Sequence, residues 1–126
     1  MTDLERVTID GWAIFYIKEQ TPELCMAAVK QNGSSIQYIK NQTPELCLMA
    51  VKQDSWALRF VKEQTPELCL MAVKQSHWAI RFVKKQTPEI CLMAVNKNPE
   101  AIIFITDPIC LNAIRKQHPE LIAGLL

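Results

Sequence analysis

The chain repeats itself with a period of twenty-two residues, and such a repeat has to be read before any local pattern because it fixes the architecture of the whole. Residues 56–75 read WALRFVKEQTPELCLMAVKQ and residues 78–97 read WAIRFVKKQTPEICLMAVNK, identical at fifteen of twenty positions. Earlier copies begin at Trp12 and Ser34, and a diverged fifth starts near Glu100, three residues short between Phe104 and Cys110. Half-copies flank the array: Asp3 to Ile9 aligns with the second half of a unit, and His118 to Leu126 restarts a first half. The expected organisation is a single repeat domain over 1–126, with a half-unit 1–10, units of about 11–32, 33–54, 55–76, 77–98 and 99–117, and a terminal half-unit 118–126.

Each unit reads as two short helices. Thr65, Pro66 and Glu67 supply an N-cap residue, a proline at the first helical position and an acidic residue in the first turn; Thr21, Thr43 and Thr87 start the same signal. The preceding half, Asp54 to Gln64, opens on another cap residue and carries apolar Trp56, Ala57, Leu58, Phe60 and Val61. Helices of about eight to ten residues do not survive alone, since nucleation is costly and one turn returns few hydrogen bonds. Stacking between units must supply the stability. The expectation is all-α: an α-solenoid of stacked short helical hairpins, about 11–12 helices in all, each unit touching mainly its neighbours.

The WALRFVKEQTPELCLMAVKQ unit resembles a short-repeat family known from giant viruses, phages and host-associated bacteria, catalogued as a domain of unknown function. The resemblance covers nearly the whole chain. It implies an α-helical tandem repeat without an assigned reaction, and it brings no catalytic residues with it. Ser34 and Ser35, where Trp-Ala is usual, and the shortened fifth unit depart from the pattern.

In a solenoid, equivalent positions line up as columns, and helical geometry at 100° per residue assigns their directions. On the first helix the polar face centres on Arg59, beside Ser55, Lys62 and Glu63, while Ala57, Phe60 and Val61 point inward and Trp56 lies on the flank. On the second helix Glu67, Met71 and Lys74 face out, and Cys69, Ala72 and Val73 lie deepest. Cys25, Cys47, Cys69, Cys91 and Cys110 therefore form a buried column, spaced by roughly 8–10 Å, beyond the reach of a disulfide. No CxxC or CxxH pair suggests a metal, and the two histidines, His77 and His118, stand in different units. Five free thiols suit a reducing, cytoplasmic address.

Candidate partner contacts follow from what remains exposed. Trp56 and Trp78, three positions before Arg59 and Arg81, are read either as core packing or as a half-exposed ring with a cation across it, a pairing found at interface hot spots. Met49, Met71 and Met93 sit between glutamate and lysine columns and either pack between neighbouring second helices or line an adaptable groove. The first helix varies most between copies, at Gly11, Gly33, Ser55, His77 and Pro99 in one column and at Phe15, Gln37, Arg59, Arg81 and Ile103 in the next, both expected to be exposed. At the C-terminal end Ile103, Leu121, Ile122, Leu125 and Leu126 suggest a self-association patch and a homodimer; the alternative is that Leu121, Ile122 and Leu125 pack back on the fifth unit.

Composition narrows the function classes. Fourteen basic against thirteen acidic side chains leave a net charge of +1, which gives no global drive toward nucleic acid or an anionic membrane. The lysine ladder Lys18, Lys40, Lys62 and Lys84 is read first as solvated surface, because like charges about 10 Å apart in water repel by only about 0.4 kcal/mol. Nothing approaches the apolar length of a membrane span, and no nucleophile, general base or glycine-rich phosphate loop stands out. No cofactor is expected. The reading is a non-enzymatic protein-protein interaction scaffold, in keeping with the resemblance a small inhibitor or adaptor of a host protein; the alternative is a nucleic-acid-binding helical repeat.

Overall fold

The computed structural model describes residues 1–122, and among them it contains twelve helices and no strand. Two compact units divide the chain, residues 1–63 and the residues from 64 onward. The first holds α1 (Asp3–Ile9), the 3-10 helix η1 (Gly11–Tyr16), α2 (Pro22–Gln31), η2 (Gly33–Tyr38), α3 (Pro44–Gln53) and η3 (Ser55–Phe60). The second holds α4 (Pro66–Gln75), η4 (His77–Phe82), α5 (Pro88–Lys97), η5 (Pro99–Phe104), α6 (Pro108–Gln117) and the single turn α7 (Pro119–Ile122). In each, α-helices alternate with 3-10 helices and stack as α-solenoid repeats: α2 packs on α1, α3, η1 and η2, and α5 packs on α4, α6, η4 and η5.

The α-helices start where the sequence says they should. Thr21, Thr43, Thr65 and Thr87 each accept a hydrogen bond from the amide three residues on, at 3.2–3.3 Å, ahead of a proline that needs no donor. Their ends are made by one residue with two duties. Asn32, Asp54 and Asn98 leave the helix in extended conformation, and their side chains then accept the amide two residues ahead, at 2.9–3.0 Å, to start the next 3-10 helix. A single residue thus turns the chain between elements.

The first half of each repeat departs from the expected α-helix. Its six residues are wound as a 3-10 helix, closed by bonds such as Ile17 N–H to Ile14 C=O at 3.1 Å. At three residues per turn, Ser55, Leu58 and Val61 share one line, and all three are buried. Trp56, Arg59 and Lys62 share the next, and all three are exposed. Two expectations are corrected by this winding: Ser55 points inward, and Phe60 is only half-buried. The column thought to be exposed and free to vary is also corrected, because Gly11, Gly33 and Ser55 are buried, His77 is half-buried and only Pro99 is exposed. Close approach is the reason at the glycines. A Cβ on Gly33 would lie 2.5 Å from the Ala50 carbonyl oxygen, and one on Gly11 equally close to that of Ala28.

Successive repeats are joined by a glutamine that the sequence shows at the foot of every full unit. Gln42 donates from Nε2 to Ile36 C=O within its own repeat and to Phe60 C=O in the next, both at 3.0 Å, while its Oε1 accepts the Lys62 amide at 3.0 Å. Gln20 does the same toward Ile14, Tyr38 and Lys40. In the second unit Gln64 holds Phe82 and Lys84, and Gln86 holds Phe104 and Thr106. The groups held in the next repeat are the carbonyl that ends its 3-10 helix and an amide two residues further on, beyond the helix's own bonds, so the carboxamide supplies the donor and acceptor that the helix does not. The shortened fifth repeat has no such glutamine. Asp107 stands at its junction instead, its Oδ1 capping α6 through Ile109 N–H at 2.8 Å and Cys110 N–H at 3.2 Å.

Candidate binding surfaces

The 3-10 helices place aromatic rings and arginines along one edge of each unit. In the first, Trp12 leans edge-on against Tyr38 with centroids 5.4 Å apart, and Phe15 packs on Tyr38 at 4.8 Å and on Tyr16 at 5.0 Å. Phe15 is 57% exposed and Tyr16 83% exposed, so these rings are not spent on a core. The Arg59 guanidinium lies 4.5 Å from the centre of the Phe60 ring. In the second unit Trp78 leans on Phe104 at 5.4 Å, and Arg81 lies 5.1 Å from Phe104 and 5.8 Å from Phe82.

Of the sequence-derived partner residues, Trp56, Arg59 and Arg81 are exposed and Trp78 is half-buried. Tryptophan is thus neither core nor fully presented: in Trp12 and Trp78 the ring edge is used to bind the following repeat, and the remainder faces out. The cations sit over phenylalanine where the sequence suggested tryptophan, Arg59 over the adjacent Phe60 and Arg81 between Phe82 and Phe104 of the following repeat. Met49, Met71 and Met93 are half-buried on α3, α4 and α5 and do not join the aromatic edge. At the C-terminal end Ile103 is 67% exposed, whereas Leu121 is half-buried and Ile122 is 3% exposed. Ile122 is therefore no part of an open patch, since α7 packs against α6. Leu125 and Leu126 lie outside the described residues.

All five cysteines are buried and free. Burial pushes every one of these thiols up from its ordinary value, Cys69 to about 11. Thiols so raised are neutral at physiological pH and poor nucleophiles. Beside burial, the neighbouring Cys110 thiol contributes to the upward shift of Cys91. Among the described residues no group of three or more His, Cys, Asp or Glu side chains is placed to hold a metal ion, and no helix is long and apolar enough to cross a membrane.

The sequence matches the family described as a domain of unknown function, DUF4116, in two tandem segments, residues 21–65 and 65–110. The chain belongs to this family. Each DUF4116 segment begins on the capping threonine of an α-helix, Thr21 or Thr65, and spans two of the structural repeats. Neither curated proteins nor solved structures give a match. The glutamine column of this DUF4116 chain was not singled out from sequence. Its signal was present, as a Gln held constant at the same place in four copies while its neighbours changed from Glu to Asn to Lys.

Proposed function

We propose that the chain is a non-enzymatic protein-binding scaffold, and that the aromatic and arginine edge that the 3-10 helices form within each unit is a contact surface. The observation that carries this reading is the exposure of Phe15 and Tyr16 next to Trp12 and Tyr38, a concentration of aromatic surface that a solenoid core does not require. Aromatic residues and arginines held in a rigid frame are what protein interfaces use as anchors, because they bury much area at little cost in side-chain freedom. The frame is held because four of the five 3-10 helices carry an Asx-type cap at their start and those of repeats two to five are tied at their exit by a neighbour's glutamine. The near-neutral charge argues against a surface that tracks a phosphate backbone. In line with the resemblance drawn from the repeat, the partner would be a host protein that the scaffold inhibits or recruits.

The test is quantitative capture from a native host extract by the whole chain, compared with the variants Phe15→Ser and Arg59→Ala/Arg81→Ala. Retained binding by all of them would remove the proposed surface. Capture that disappears on nuclease treatment would replace the protein partner with nucleic acid.

A further inference from the structure

We infer that the edge of the first unit reads an extended peptide segment one side chain per repeat: Phe15, Gln37 and Arg59 select an apolar, a hydrogen-bond-donating and an acidic residue at every third position of that segment. This rests on the reading of the edge as a contact surface and names the chemistry of the partner it takes. Phe15 is 57% exposed, Arg59 is exposed and Gln37 half-buried, and the three hold the same place in η1, η2 and η3. Each is followed at the next position by an aromatic ring, Tyr16, Tyr38 or Phe60, and three positions on by a lysine, Lys18, Lys40 or Lys62. Exposure alone does not make a position vary here, because the lysines are exposed too and do not change. The column after them, Glu19, Asn41 and Glu63, changes only from Glu to Asn and back. Each repeat of the unit thus offers a constant ring and a constant cation, and beside them one side chain whose chemical class is different every time.

Pitch and charge define the occupant. η1 packs on η2 and η2 on η3, so the three reading positions succeed one another at the spacing of packed helices, roughly 8–10 Å. A polyproline II segment advances about 9.3 Å in three residues and makes no internal backbone hydrogen bonds, so its carbonyls are available to a column of lysines. Aromatic rings are the floor on which such segments lie, and Phe15 packs here on Tyr16 at 5.0 Å and on Tyr38 at 4.8 Å. The residue that fits over Phe15 is apolar. Gln37 donates from Nε2 to Ser34 C=O at 3.1 Å while its Oε1 has no donor among the described residues, so the second residue brings an N–H. Arg59 uses the face of its guanidinium on Phe60, at 4.5 Å, and stacking of this kind leaves the N–H edge to receive a carboxylate. The exposed Lys40 and Lys62 add positive charge on the same side of the pattern.

The probes are the peptides LPPQPPE and EPPQPPL, which carry the three residues at every third position in the two chain directions, titrated into the isotopically labelled whole chain and followed by amide shifts. One of the two should give saturable shifts in η1, η2 and η3 with a dissociation constant at or below about 1 mM, and changing its glutamate to lysine should weaken it at least roughly tenfold. A version with one more proline in each gap should be weakened as much, because its anchors fall out of step with the repeats. The chain variant Arg59→Glu should reverse the preference and bind the lysine peptide more tightly than the glutamate peptide, which a mere loss of stability cannot produce. Absence of binding in both directions, equal binding of the glutamate and lysine peptides, or equal binding of the longer-gapped version overturns the inference. So does an Arg59→Glu chain of unchanged Tm that keeps the original preference. Capture from host extract is a separate readout. If Arg59→Ala/Arg81→Ala abolishes capture and neither peptide binds, the contact surface stands and the extended segment falls; if capture survives those variants and the peptide preference is as described, the host partner falls and the reading column stands.

Discussion

Gln42 reaches eighteen residues along the chain to the carbonyl of Phe60, and with the same side chain it holds the Lys62 amide, so one carboxamide fixes the exit of a helix it does not belong to. Two partly buried hydrogen bonds and one exposed bond depend on it. Gln42→Leu removes all three, Ile36 C=O keeping the Ile39 amide, and should cost about 1–3 kcal/mol in urea unfolding. Gln42→Glu distinguishes donation from acceptance. At neutral pH the carboxylate can accept from Lys62 but cannot donate to Ile36 or Phe60, and it faces their oxygens. Its charged form is disfavoured on folding, which raises the folded pKa above the ordinary value of about 4.3, so the deficit should shrink as pH falls from neutral toward about 4 and a proton restores one donor. A deficit independent of pH would contradict this geometry.

Thr43→Ala removes the acceptor for the Leu46 amide at the start of α3 and should lower stability by about 1 kcal/mol, with Thr43→Ser close to the parent. Matching urea midpoints for the two variants would show that the proline, not the hydroxyl, starts the helix.

Gly33→Ala places a methyl group 2.5 Å from the Ala50 carbonyl oxygen and 3.2 Å from Gln53 Cβ. Backbone must move to admit it, and a loss of about 1–3 kcal/mol is expected. A change of under about 0.5 kcal/mol in chemical unfolding would mean that η2 lies further from α3 than described.

The buried thiols make stability sensitive to alkali. Cys69 titrates at about 11 when folded, against an ordinary value of 9.0, because burial disfavours the thiolate. Between those values the unfolded chain releases a proton that the folded chain retains. Stability should therefore fall with rising pH by about 1.4 kcal/mol per unit for this group, and Cys69→Ala should lack that component. Native protein should also resist Ellman's reagent at neutral pH. Labelling as fast as in the unfolded chain would contradict the buried column.

The second half of each repeat was fully legible, because capping Thr, first-turn Pro and the deep Cys, Ala and Val positions are local signals with one geometric meaning. The first half was legible as a helix but not as the right helix. Six residues contain too few turns for their apolar pattern to separate a rise of three residues from one of 3.6, and the wrong choice rotated Ser55 outward and Phe60 inward. Gln42 and its counterparts escaped notice because they stand in a link between helices, where invariance looks like solubility unless the next repeat's orphaned backbone is already in view.

The reach of each glutamine into the following copy bears on how such arrays lengthen. Each of the four full copies carries the donor and acceptor for its successor, so a tandem duplication of such a copy inherits both halves of the joint in one event. No compensating substitution is needed at either new boundary. A copy that lacks the glutamine, as the fifth does, offers no such joint.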